Sequence, residues 1–243
     1  MSVIHLDNLY KRREQAGSVF ELFVPELKIA PGRMVALVGD SGCGKSTLLD
    51  MLALVMQPTR VGRFILNPGR EQDAAIDVQS LWENGLESHL ARLRRNFMGY
   101  ILQTGGLLSF LSVMDNVCLP ARIKGSKDYL TQVTALAARL GIEHCLKRKP
   151  DYLSIGQRQR AAILRAMAHG PALVLADEPT AAVDKARARI IMQDLQSVTR
   201  ESGTAVVVVT HDTELVTDAD VTYSFVLGQS SEGLVRAECR RSK

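Results

Sequence analysis

Three segments of this chain are apolar without interruption: Met34–Val38, Pro171–Ala176 and Ala205–Val209. Runs of that length read as strands covered on both faces, the pattern of a parallel sheet. Other stretches carry apolar residues every three or four positions. Lys45–Met56 places Leu48, Leu49, Leu52 and Val55 on one stripe, which predicts a helix. Leu86–Phe97 repeats the spacing with Leu86, Leu90 and Leu93 beneath a basic outer face. Tyr129–Leu140, ended by Gly141, and Gly156–His169, ended by Gly170 and Pro171, are further amphipathic helices. Asp184–Glu201 is another. Val3–Leu9 and Phe20–Ile29 alternate as strands, Tyr100–Leu102 is a short one, and Val221–Leu227 and Leu234–Ala237 close the pattern. Residues 61–85 mix Gly, Pro, Asn and acidic residues and read as loop or strand-and-loop. Strands alternating with helices predict an α/β core. The stretch from about 105 to 160 is helix-rich and strandless, and reads as a helical subdomain inserted in one domain spanning 1–243.

Composition narrows the class. With 243 residues, 46% of them hydrophobic, the chain can bury a sizeable core. No apolar run approaches the roughly 18 residues of a membrane span, and the first residues carry no secretory signal pattern. A cytosolic location is expected. The net charge of +4 is too mild for a nucleic-acid binder. Local basic clusters at Lys11–Arg13, Arg92–Arg95, Lys147–Lys149 and Arg240–Lys243 are either solvated surface or contacts for anionic headgroups or a membrane partner. The four cysteines lack metal-ligand spacing and read as reduced thiols. Cys43 stands apart, because a helix N-terminus beside it is a setting that lowers a thiol pKa.

The chemistry begins at Gly39–Thr47, GDSGCGKST. This fits the phosphate-loop pattern and lies between a strand and a helix, where backbone N–H groups converge on an anion. Gly39, Gly42 and Gly44 allow the tight turn, with Ser41 and Cys43 between them. Lys45 is positioned for the β- and γ-phosphates, Ser46 for a Mg²⁺ ion and Thr47 for the α-phosphate side. ATP or GTP is the expected ligand. The strand at Ala172 ends in Asp177, suited to hold Mg²⁺, and Glu178, suited to polarise a water. His211 ends another strand, within reach of a γ-phosphate. A second helix start, Ser154–Gln157, is a further anion site, capped by Ser154 with Gly156 beside it.

In this order the motifs resemble the ATP-binding subunit of an ABC transporter. Gly39–Thr47 resembles the Walker A loop and Gln103, in YILQTGG, the glutamine of the Q-loop. Leu153–Gln157 resembles the signature sequence and Leu173–Glu178 Walker B with its catalytic glutamate. Thr180–Asp184 resembles the D-loop and His211 the switch histidine. The resemblance spans about Val3 to Leu227. It implies a P-loop ATPase core with an antiparallel β subdomain and an inserted α-helical subdomain. It further implies catalysis by Glu178, His211 and Gln103, with Ser46, Gln103 and Asp177 around Mg²⁺. ATP in the cleft of one subunit would be covered by Ser154, Gly156 and Gln157 of a second copy, and the pair would drive a separate membrane permease from the inner face of the membrane. LARLRRNFMGYILQ and SVMDNVCLPARIKG look most like the branch serving lipoprotein release, macrolide efflux and cell division. That branch suggests a lipid-like, peptide or drug substrate. A regulatory ATP switch that docks to a membrane protein and moves no solute is the alternative. A soluble ABC ATPase of DNA repair or translation would carry long coiled-coil insertions or a second fused ATPase unit, which this chain lacks. Three departures are visible. Ile155 stands where the family has Gly, Arg13 stands where an aromatic stacks on adenine, and the D-loop reads Ala181-Ala-Val-Asp184. Tyr10, Phe20 or the Arg13 guanidinium itself could serve the base.

Overall fold

The computed structural model describes residues 2–15, 18–69, 74–228 and 234–243. A hairpin opens the chain: β1 (Ile4–Gln15) pairs antiparallel with β2 (Ser18–Ile29), from Ile4 opposite Ile29 to Arg13 opposite Phe20. β3 (Met34–Val38) follows and leads through the glycine-rich loop into α1 (Lys45–Leu52). Next come β4 (Arg63–Leu66), β5 (Ile76–Asp77), α2 (Val78–Glu83), α3 (Glu87–Phe97) and β6 (Met98–Ile101). Three helices then run without an intervening strand: α4 (Val113–Lys124), α5 (Tyr129–Arg139) and α6 (Ile155–Met167). The chain closes with β7 (Leu173–Asp177), α7 (Lys185–Ser202), β8 (Ala205–Thr210), β9 (Val221–Leu227) and β10 (Leu234–Arg241).

The strands form one sheet in the order β5-β4-β1-β2-β10-β9-β3-β8-β7-β6. Strands β9, β3, β8, β7 and β6 run parallel, whereas β5, β4, β1 and β2 make an antiparallel wing. β10 joins the two halves, parallel to β2 and antiparallel to β9.

The uninterrupted apolar runs are explained by two cores, one on each face. Val35 and Leu37 of β3 pack in one core, and Met34, Ala36 and Val38 in the other. Leu173 and Leu175 alternate with Val174 and Ala176 in the same way along β7. Each strand buries both faces, so no polar residue interrupts it. Leu48, Leu49 and Leu52 of α1 fill the first core, and α6 and α7 fill the second.

Several expectations are corrected. α1 stops at Leu52 because Leu54 takes a left-handed backbone (φ 58°), and Val55 is 62% exposed rather than on the buried stripe. Within the span expected as loop or strand-and-loop, Asp77 caps a helix by accepting from the N–H groups of Gln79 and Ser80. Residues 70–73 of that span lie outside the described residues. The first hairpin strand runs on to Gln15, past the expected Leu9.

Candidate active site

A cavity of about 1150 Å³ opens at the carboxyl edge of the parallel strands, the edge at which open α/β sheets bind ligands. Its lining includes Ser41, Gly42, Gly44, Lys45, Ser46, Thr47, Gln103, Asp177, Glu178 and His211. Residues distant in sequence thus meet because β3, β6, β7 and β8 end side by side. Arg13 of β1, Ser18, Val19 and Phe20 of β2, and Val235 of the joining strand β10 line the other end.

The loop is closely fitted. Gly44 caps α1 with φ 101°, and a Cβ there would lie 2.7 Å from Cζ of Phe20. Only glycine satisfies both the backbone and the contact. The ammonium of Lys45, 7% exposed, donates to the carbonyls of Gly39 and Asp40, each at 2.7 Å. Ser46 is exposed and Thr47 buried at the start of α1.

Opposite the loop, burial and the neighbouring Glu178 and Asp50 raise the Asp177 carboxyl above its ordinary value, against the pull of the Ser46 hydroxyl and Lys45. Burial also raises Asp50, and burial with Asp177 and Asp50 raises the Tyr100 phenol. Crowded carboxylates beside a hydroxyl form an oxygen donor set that a hard divalent cation would relieve. Glu178 sits in the left-handed region (φ 46°), and its N–H donates to Val209 O at 3.0 Å. Its Oε1 lies 3.0 Å from Nδ1 of His211. A carboxylate held in this way is chemically able to polarise a water.

Five of the expected site residues do not line the cavity. The Cys43 side chain does not enter the cavity. It is 1% exposed and packs in the core on the α1 face, its Sγ 3.8 Å from the Lys45 ammonium. The loop turns its small side chain inward while its backbone passes the cleft. Gly39 contributes its carbonyl to Lys45 and does not line the cavity. Ser154, Gly156 and Gln157 are absent from the cavity wall as well. They form a capping box at the head of α6: Ser154 Oγ accepts from Gln157 N at 3.3 Å, and Gln157 Oε1 accepts from Ser154 N at 3.0 Å. Ser154 is exposed, and a Cβ at Gly156 would meet nothing within 4 Å. Asp50, Tyr100 and Val235 were not legible as site residues. Asp50 follows Lys45 by five positions on α1, but only the fold brings Val235 into the cavity wall and Tyr100 into the field of Asp177 and Asp50.

A phosphate loop facing acidic strand ends defines the P-loop class of nucleoside triphosphatases. Residues 23–181 match the family described as ABC transporter. The lipoprotein-releasing system ATP-binding protein LolD of Hydrogenovibrio crunogenus is 38% identical over 206 residues, covering 84% of each chain. The macrolide export ATP-binding/permease protein MacB of Shewanella oneidensis is 40% identical over 197 residues, which is 80% of this chain and 28% of that one. A solved dimeric structure of the ATP-binding cassette MJ0796, in a post-hydrolysis state bound to ADP and Pi, superposes with a TM-score of 0.73 at 30% identity, covering 99% of this chain and all of the other. The chain belongs to the ABC transporter family. It is an ATP-binding subunit of the ABC type and an ATPase.

Proposed function

We propose that this chain powers a membrane permease of the lipoprotein-release and exporter branch by closing on ATP as a homodimer and reopening on hydrolysis. The observation that carries the reading is the Glu178–His211 pair, placed beside Asp177 in the same cleft as Lys45. Lys45, Thr47 and the loop amides hold the triphosphate. Ser46 and Asp177, with Gln103 close by, would hold Mg²⁺, which when bound offsets phosphate charge. Glu178 takes the proton of the attacking water, and His211 fixes the orientation of that carboxylate. Arg13 and Phe20 flank the base, the guanidinium plane of Arg13 standing in for an aromatic ring.

The second copy supplies what one chain lacks. Ser154 and Gly156 do not line their own cleft and stand at a helix N-terminus with open space beside Gly156, an arrangement suited to another chain's γ-phosphate. ATP then binds the closed pair far better than the open one, and its hydrolysis releases the closure. The helices between 105 and 160 act as the subdomain that passes this motion on. Among the described residues no helix is long and apolar enough to cross a membrane. In this reading the chain works at the inner face through a separate permease, as an ATP-binding protein of a lipoprotein-releasing system would, and the cargo is lipid-like, peptide or drug.

The deciding experiment is Glu178→Gln. Turnover should fall by roughly 100-fold or more, and size-exclusion chromatography should show a dimer only with ATP. Full turnover in that variant would falsify the role of Glu178. Ile155, 44% exposed at the head of α6, favours a second reading, a slow ATP-dependent switch that docks without moving solute. Turnover that rises with permease and cargo supports transport. Slow turnover with tight docking, sped up by Ile155→Gly, supports the switch.

A further inference from the structure

The loop that carries Gln103 is fastened to α6 by a half-buried cation. Arg165 donates through Nη1 to the carbonyl of Gly106 at 2.5 Å and through Nη2 to that of Gly105 at 3.0 Å. Burial lowers its pKa, and these two partners are neutral carbonyls, so the guanidinium gives up hydration to hold backbone. Gly106 has φ +60°, and a Cβ there would lie 2.7 Å from Leu102 Cδ1 and 3.2 Å from Nη2 of Arg165. The contact thus requires both the cation and the missing side chain.

The strand before the loop is docked on the same helix. Gly99 of β6 packs so closely on the Ala166 carbonyl that no Cβ could be placed there. His169 Nε2 meets Met98 O at 3.1 Å just beyond the helix end. β6 therefore rides on the C-terminal end of α6, the Gln103 loop lies along the helix from Arg158 and Gln159 to Arg165, and Ser154 caps its start. At ~1.5 Å per residue, about 16 Å of helix joins Ser154 to Arg165, short enough to move as a rod.

We propose that Arg165 is a positioning residue for ATP hydrolysis: it locks Gln103 of a chain's own cleft to the helix whose far end closes the partner cleft. A shift of Gln103 against one γ-phosphate then moves Ser154 over the other, so the two nucleotides are sensed together. This rests on the dimeric ATPase reading above.

Two measurements on the full chain test it. Without nucleotide, hydrogen exchange reads the latch itself. Amides of residues 102–107 should exchange at least tenfold faster in Arg165→Met than in the parent, and unchanged exchange overturns the proposal. ATP turnover reads the consequence. In Arg165→Met, kcat should fall tenfold or more while KM stays within twofold. Gly106→Ala should also lower kcat, and should cost less than twofold more when added to Arg165→Met, because both break one contact. Arg165→Lys keeps the charge but cannot fork to two carbonyls. It should recover only part of the rate, and it carries both readouts if the Met variant does not fold. A raised KM at full kcat, or two losses that multiply independently, overturns the proposal. A parent chain without ATPase activity would instead fell the functional reading, and the exchange result would still decide the latch.

Discussion

His211 Nδ1 stands 3.0 Å from Glu178 Oε1, and the Glu178 backbone is left-handed at φ 46°. A non-glycine residue held there costs about 1–3 kcal/mol. The fold imposes it through the register of β7 and β8, which sets Asp177 opposite Val209 and lets Val209 O accept the Glu178 N–H. Strain at this carboxylate aims it at the cleft, and the imidazole fixes its remaining freedom.

Removing that imidazole should separate binding from chemistry. His211→Ala is expected to lower kcat about tenfold or more, while the Kd for a slowly hydrolysed ATP analogue stays within about threefold. Calorimetry and steady-state turnover on the same preparation check this. A weakened Kd with intact kcat would reassign His211 to nucleotide binding.

Gly156 should trade stability against assembly. It lies in the first turn of α6 with nothing within 4 Å of a Cβ. In isolation Gly156→Ala should stabilise the chain, by up to about 1 kcal/mol. The same methyl would sit where the second copy's phosphate is expected. ATP-dependent dimers of the Glu178→Gln background should then weaken, although the Tm without nucleotide rises. Unweakened dimers would show that this helix end faces no partner.

Acid should destabilise the fold through His169. Burial is the main reason its imidazole drops from 6.5 to about 4, with the Lys124 charge adding to it. The folded state therefore binds this proton more weakly than the unfolded chain. Stability present above pH 6.5 is lost as pH falls toward 4, on the order of 3 kcal/mol in all. His169→Gln keeps a donor for Met98 O without the titration. Denaturant midpoints between pH 4.5 and 7 should vary less in that variant, and an unchanged slope would clear His169 of the effect.

The cysteines should be silent. Cys43, Cys118, Cys145 and Cys239 are all buried, and burial raises the last three thiols further from ionisation. A thiol reagent should label none of them in native protein within minutes and all four after unfolding. Fast native labelling at Cys43 with ATP protection would restore the reactive thiol that its place beside a helix N-terminus suggested.

What could be read from the chain alone was set by how local the cause is. The turn between β3 and α1, the strand end at Asp177 and Glu178 and the Ser154 cap depend on residues a few positions apart, and the structure forms each of these local features. Strands with two buried faces announced themselves because no polar side chain fits either core. α2 escaped notice because its start depends on one Asp77 carboxylate amid glycine, proline and asparagine. The end of α1 turns on Leu54 adopting a backbone that its side chain disfavours, which periodicity does not register. The inward rotation of Cys43 and the grip of Arg165 on Gly105 and Gly106 depend on tertiary neighbours that sequence spacing does not reveal.

The ammonium of Lys45 already owns two backbone oxygens, those of Gly39 and Asp40. Under the proposed function, an arriving triphosphate would exchange the partners of this lysine rather than offer the first ones. Affinity would then be a difference between two sets of contacts, and these carbonyls would take the ammonium back when a spent nucleotide leaves. A motor that must refuel repeatedly gains more from that reversibility than from a tighter grip.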